Sequence, residues 1–251
     1  MKNTILKYTF EIYKKNFFVV LVASFPGLIA FFAPLIINII NRASPLYFSL
    51  GGIWLRTGRI VDITAQDFFL LIIPLLFSLY LLSFAIVSIN FIVKMQRTLR
   101  KLTTEEIKKI TKYSNSLFII FLAAIILDLV MQLLTFGSDL NKYISPLFRA
   151  ISGIFILFAP SAIVIDEDRI VTALKKSYRI VTQKPILILQ ILLAFLLLIS
   201  ILDYIIIFVF ELLAQPLIAP LLIALINCLF IVPFFLILLT QVYISKYTIL
   251  V

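Results

Sequence analysis

The sequence predicts an all-α fold, a polytopic membrane bundle of six transmembrane helices with short interfacial amphipathic helices on the cytoplasmic face. Three observations lead there. Six long apolar runs, near Phe17–Ile40, Phe68–Val93, Leu117–Phe136, Ile144–Ile165, Pro185–Phe210 and Leu217–Ile244, fill most of the chain. About 20 apolar residues carry a helix across a ~30 Å hydrocarbon core, so each run is long enough to span it. Apolar residues make up 63% of the chain and charged residues 14%, against about 45–50% and about 25% in a soluble domain. Lastly, the basic residues keep to alternate gaps between the runs.

That charge pattern sets the expected topology. Lys2, Lys7, Lys14 and Lys15 precede the first run; Lys94, Arg97, Arg100, Lys101, Lys108, Lys109 and Lys112 fill the second gap; Arg169, Lys175, Lys176, Arg179 and Lys184 fill the fourth; Lys246 lies in the tail. The other side holds only Arg42, Arg56, Arg59, Lys142 and Arg149. Lys and Arg stay cytoplasmic during insertion, so both termini are expected inside a cell membrane. The net charge of +10 is thereby read as topology, with membrane lipids and an unidentified protein as the expected partners and no nucleic acid. The longest gap, Asn41–Asp67, is too short for a separate domain of at least ~50 residues, so residues 1–251 are read as a single integral membrane domain. The first run is also too long for the 7–15-residue core of a cleaved signal peptide.

The cytoplasmic gaps share one pattern, a short amphipathic helix leading into a span. In Asp168–Gln183 an apolar stripe of Ile170, Leu174, Ser177/Tyr178 and Val181 opposes Lys175, Lys176 and Arg179. Asp166, Glu167 and Asp168 precede that helix, which suits its dipole. Thr103 and Glu106 match a capping box ahead of Ile107 and Ile110, flanked by Lys108, Lys109 and Lys112. Ile5, Tyr8/Thr9 and Ile12 repeat the theme beside Lys7, Lys14 and Lys15. Such helices lie in the headgroup layer with their cations near anionic lipid. Three units of entry helix plus two-span hairpin follow, with Phe10-Glu11-Ile12-Tyr13 paralleling Tyr178-Arg179-Ile180-Val181. Outside, Gly51-Gly52 is expected to turn a small hairpin, with Tyr47 and Trp54 in the interfacial aromatic belt. Tight turns are expected around Gly137–Tyr143 and Glu211–Pro216.

A few residues are out of place in lipid. Asp128 and Asp203 sit seven or eight residues before the outer ends of the third and fifth spans, about 10–12 Å deep at ~1.5 Å per residue. Arg149 lies some five residues into the fourth span, roughly 8 Å deep. Gln132 and Asn227, and Asn38 with them, fall at comparable levels. A charge in the membrane costs a few kcal/mol unless paired or hydrated, so the expected arrangement is an outer-half polar cluster in which Arg149 neutralises one aspartate or both. The cluster either fixes helix packing or lines a polar path. Two aspartates on separate spans also raise intramembrane aspartyl proteolysis, but Leu127-Asp128-Leu129 and Leu202-Asp203-Tyr204 lack the Gly-x-Gly-Asp pattern of that chemistry. Pro26, Pro34, Pro74, Pro220 and Pro233 interrupt spans and are expected to kink them.

Histidine is absent and Cys228 is the sole cysteine, which removes Ser-His-Asp and Cys-His catalysis and His-ligated metals. No phosphate-binding loop, His-Glu-x-x-His, Gly-x-Ser-x-Gly or Cys-x-x-Cys is present. The expectation is no catalytic residue, no metal and no cofactor.

The stretch Phe158-Ala159-Pro160-Ser161-Ala162-Ile163-Val164-Ile165, followed by Ala173-Leu174-Lys175-Lys176-Ser177-Tyr178-Arg179, resembles a family of six-span prokaryotic membrane proteins related to the membrane domain of glycerophosphoryl diester phosphodiesterases. The resemblance covers about 30 residues and the hydropathy layout. It implies an architecture in which a proline-containing span end is followed by an "A-L-x-x-S" amphipathic helix and a further span. The phosphodiesterase catalytic domain is absent here, and Asp168-Arg169 stand where a glycine often precedes that helix. The resemblance therefore implies no activity.

Overall fold

The computed structural model describes residues 2–40, 65–98, 104–135, 141–213 and 218–248, and among them the chain is helical with short turns and no strand. The helices are α1 (Lys2–Lys15), α2 (Phe17–Ile40), α3 (Ala65–Thr98), α4 (Thr104–Leu134), α5 (Asn141–Ile156), α6 (Ala159–Ile165), α7 (Ile170–Gln183), α8 (Pro185–Leu212), α9 (Ile218–Ile226) and α10 (Val232–Thr248), with a π-helical turn at Asn227–Ile231 between the last two. Five stretches are long and apolar enough to cross a membrane: Ile72–Arg97, Glu105–Leu134, Pro146–Ile165, Pro185–Leu212 and Ile218–Ser245. A sixth joins them if Ile5–Lys15 and Phe17–Phe32, which meet at 86°, are taken together. The hairpin expected around Gly51-Gly52, Thr103 of the capping box, the side chain of Asn38 and parts of both external turns lie outside the described residues.

The entry segments differ from one another. Asn16 forms the corner between α1 and α2: its Nδ2 donates to the Ile12 carbonyl at 2.9 Å and to Gln96 Oε1 of α3. Its own carbonyl accepts from Val20 N–H. By contrast, the second entry segment is no separate helix. Residues from Thr104 run without a break into the span, because no corner-forming residue interrupts the backbone ladder between Glu105 and Leu134. In α7 the inward face is Ala173, Ser177, Ile180 and Val181, with Tyr178 exposed. Ile170 and Leu174 of the expected stripe pack against the same core, and the stripe widens to Ala173 and Ile180.

The prolines act unevenly. α2 continues through Pro26 and Pro34, and α3 through Pro74. The fourth span does break, at Leu157–Phe158, between α5 and α6. Pro160 has no N–H for the carbonyl four residues back. Ser177 of α7 repairs the gap, accepting from Phe158 N–H at 3.0 Å and donating to Phe155 O at 2.6 Å. In the last span Pro233 cannot donate to Leu229 O, and the π turn lies just ahead of it.

Three helices, the second members of their hairpins, pack together at the centre: α3, α6 and α10. The core joins Val87 and Phe91 of α3, Phe158 and Ile163 around α6, and Leu239 and Tyr243 of α10. Leu117 of α4 and Ile180 of α7 close it from outside. α2 lies along α3 with small residues between them; a Cβ added at Gly27 would sit 3.4 Å from Ala85 Cβ. This is close backbone approach through small residues, as between membrane helices. α8 differs from the rest. Only Ile188 is buried along it, and most of its large apolar side chains face outward.

Candidate functional site

Among the described residues, three gatherings of polar side chains in and beside the apolar helices stand out. The first is the outer-half cluster expected from sequence. Arg149 Nε of α5 lies 3.0 Å from Asp128 Oδ1 of α4, and Gln132 Nε2 donates to Asp128 Oδ2 at 2.7 Å. Asp128 is buried, and the side chains of both ion-pair partners are only 15% and 12% exposed. Gln132 stands one turn after Asp128, so both reach the same point. One cation and one amide therefore neutralise and solvate a carboxylate that lipid would reject.

The expected cluster is nevertheless divided. Asp203 of α8 accepts from Asn227 Nδ2 at 3.0 Å, which ties α8 to the π turn, and no described contact joins it to Arg149. The physical reason is hairpin pairing. α4 packs with α5 and α8 with α9, so each aspartate meets the polar residue of its own antiparallel neighbour. Asn227 Oδ1 is buried without a hydrogen-bond partner among the described residues. Cys228, beside it, is a half-buried free thiol.

The second group was not anticipated. Asn90 of α3, Ser161 of α6 and Thr240 of α10 meet where the three central helices cross. Thr240 Oγ1 donates to Asn90 Oδ1 at 2.6 Å, Ser161 Oγ donates to the same oxygen at 3.0 Å, and the two hydroxyls are 3.3 Å apart. Asn90 Nδ2 donates to Ile86 O at 2.8 Å. All three residues are buried. Asn90 Oδ1 thus serves as a double acceptor linking three helices. The signal that could have found them is one polar residue in the second span of each hairpin.

The third group lies at the end of α6. Lys94 Nζ donates to Val164 O at 2.7 Å and to Glu167 Oε1 at 2.8 Å, and stands 5.7 Å from the Tyr113 ring centroid. It thus places a cation at a helix C-terminus. Glu167 has φ 57°, the left-handed position that reverses the chain after a helix and that glycine usually takes. The hydrogen bond from Lys94 holds its carboxyl below the ordinary value. Asp166 Oδ2 accepts from Tyr243 Oη at 2.7 Å and from Lys176 Nζ, which also lies 2.7 Å from Asp168 Oδ2. The acidic triplet precedes α7, which starts at Ile170, as expected; its side chains also bind Lys94, Lys176 and Tyr243. One expectation changes here. Lys176, expected among the interfacial cations, turns inward. Lys109 pairs with Glu106 at 3.4 Å, whereas Lys108, Lys175 and Arg179 are exposed.

Among the described residues no group of three or more His, Cys, Asp or Glu could hold a metal ion. No family model, curated protein or solved structure matches this chain.

Proposed function

We propose that this chain is an integral membrane module with no chemistry of its own, a scaffold or permease-like component set in the cell membrane. The observation that carries this reading is the way polar groups inside the apolar helices are used up against each other. Asp128 is held by Arg149 and Gln132, Asp203 by Asn227, and Asn90 by Ser161 and Thr240. The outward apolar side chains of α8 suit lipid as solvent. The positive-inside distribution supports six crossings with both termini and the Lys94–Lys176 end in the cytoplasm. The relation to the six-span family with the "A-L-x-x-S" helix belongs to the same proposal: Ser177 of that motif bridges the break before Ala159-Pro160.

The test compares ways of removing the ion pair. Replacing Arg149 alone strands a buried carboxylate, whereas replacing Arg149, Asp128 and Gln132 together by Leu strands nothing. A structural tie predicts that the single variant loses more folded protein than the triple. A single variant that folds as well as the triple, with solute flux in proteoliposomes altered in both, would favour a polar path.

A second reading, a small-solute or lipid transporter, rests on one observation. The Asp203–Asn227 contact sits at a π-helical turn, a feature frequent at functional sites, with Asn227 Oδ1 open for a further donor. Cys228 supplies a native probe. Labelling by a membrane-impermeant maleimide from outside would support a water-filled path to this level; labelling only by a permeant reagent, or none, would count against it.

A further inference from the structure

The entry segments carry a repeat finer than their amphipathicity. Ile5-x-Lys7-x-Thr9-x-x-Ile12 recurs as Ile110-x-Lys112-x-Ser114-x-x-Leu117 and as Ala173-x-Lys175-x-Ser177-x-x-Ile180. The structure gives the three copies matching environments. Thr9, Ser114 and Ser177 are each wholly buried. Lys7, Lys112 and Lys175 are each exposed. Two residues are about 200° around a helix, so a lysine two places before an inward hydroxyl must face away from the bundle. Each entry segment also packs on the second span of the preceding hairpin. α4 packs on α3, α7 on α5 and α6, and α1 closes the circle on α10.

The lysines at this register are distinct from their neighbours. Lys94, Lys109 and Lys176 are engaged by carboxylates, whereas no ion pair among the described residues involves Lys7, Lys112 or Lys175. Large apolar side chains stand exposed beside them: Leu6, Tyr8 and Phe10 on α1, Ile107 on α4, Val171 and Tyr178 on α7. A soluble anion would be served by the cations alone. Cations interleaved with outward apolar groups fit the boundary between headgroups and acyl chains.

We propose that Lys7, Lys112 and Lys175 form a threefold collar that binds the headgroup phosphates of anionic phospholipids around the bundle. This rests on the membrane reading above. Each juxtamembrane cation is worth about a fivefold gain in affinity for anionic lipid at modest salt, so each of the three separate sites should favour anionic over zwitterionic lipid about fivefold.

The experiment measures binding of dioleoylphosphatidylglycerol and dioleoylphosphatidylcholine to the detergent-purified full chain by native mass spectrometry. The register variant is Lys7→Gln/Lys112→Gln/Lys175→Gln; a second triple, Lys14→Gln/Lys108→Gln/Lys184→Gln, removes equal charge elsewhere. The expected result is a preference of the parent for phosphatidylglycerol that falls roughly fivefold per bound lipid in the register variant, falls far less in the second triple, and is restored by Lys7→Arg/Lys112→Arg/Lys175→Arg. Equal losses in both triples, no preference in the parent, or displacement of the lipid by millimolar inorganic phosphate would each overturn the collar. Alkaline carbonate washing of membranes separates the two levels. Release of the parent chain would overturn the membrane reading itself, whereas retention without lipid preference would overturn the collar alone.

Discussion

At the end of the bundle that carries α1, α7 and the Asp166–Asp168 turn, the helices are locked together. Leu117, Phe158, Ile163 and Tyr243 are wholly buried, and the Asn90 triad and Lys94 join helices from different hairpins. At the other end the pattern reverses. Asp128 lies fifteen residues after Tyr113 along α4, about 22 Å further on at ~1.5 Å per residue. There the polar ties among the described residues join neighbours within a hairpin, Asp128 to Arg149 and Asp203 to Asn227. Leu133, Leu134, Tyr204 and Leu212 all face outward. Among the described residues, one end is bound by packing between units and the other by electrostatic clasps within hairpins.

Loss of a clasp should have the largest effect. Arg149→Ala leaves Asp128 buried with Gln132 as its remaining described partner. Stranding a buried charge in this way costs about 3–5 kcal/mol, and thermal unfolding in detergent should show a correspondingly large drop in Tm. If Arg149→Ala melts like the parent, the clasp is not electrostatic.

Truncation of side chains measures the contrast directly. Leu117→Ala, at 0% exposure, should cost about 2–5 kcal/mol through lost contacts and a cavity. Leu133→Ala, at 64% exposure, should stay within about 0.5 kcal/mol, as surface substitutions do. Equal losses would mean that another chain or the rest of this one covers the clasped end.

The contrast also marks what can be read from residues alone. The spans were legible because hydrocarbon demands a full helical ladder and a continuous apolar surface, and both write themselves as long runs. The Asp128–Arg149–Gln132 group was legible because depth along a helix follows from counting. That Asp203 would choose Asn227 was not, since depth carries no information about azimuth. The break at Leu157–Phe158 was hidden for a related reason. Pro160 advertises a lost donor, but the repair comes from Ser177, on a helix that folds back from 19 positions away. Asn90, Ser161 and Thr240 were passed over because each is a small polar residue of a kind that helices tolerate singly. Their meaning lies in converging on one oxygen. Lys175 and Lys176 look equivalent on paper, yet 100° of helix sends one outward and the other to Asp166.

The triad gives a middle-sized test of the locked end. Thr240→Val keeps shape and removes the hydroxyl that donates to Asn90 Oδ1 and contacts Ser161. Ser161 still donates to Asn90 Oδ1 in that variant, so the loss should be about 0.5–1.5 kcal/mol, the net worth of one hydrogen bond. Asn90→Leu should cost more than Thr240→Val, because it removes the acceptor both hydroxyls share and leaves Thr240 with Leu236 O and Ser161 with Thr240 Oγ1 as their remaining partners. The double variant should then add little to Asn90→Leu alone, and full additivity would show that the three do not act as one unit.

The smallest effect is expected at Glu167, half-exposed at the rim of the locked end. Its hydrogen bond from Lys94 lowers its pKa from the ordinary 4.5. A carboxylate with a depressed folded-state pKa contributes stability above its unfolded pKa and loses it as pH falls through the folded value. Stability of the parent should therefore decline as pH drops below about 4.5 toward the folded pKa, beyond any decline shared by other carboxylates. Glu167→Gln should flatten that part of the profile and leave neutral-pH stability only slightly reduced, since exposed ion pairs contribute about 0–1 kcal/mol. Lys94 would keep its bond to Val164 O in that variant, so Lys94→Met should cost more than Glu167→Gln at neutral pH. Equal costs would mean that Lys94 works only as a counter-ion and not as the cap of α6.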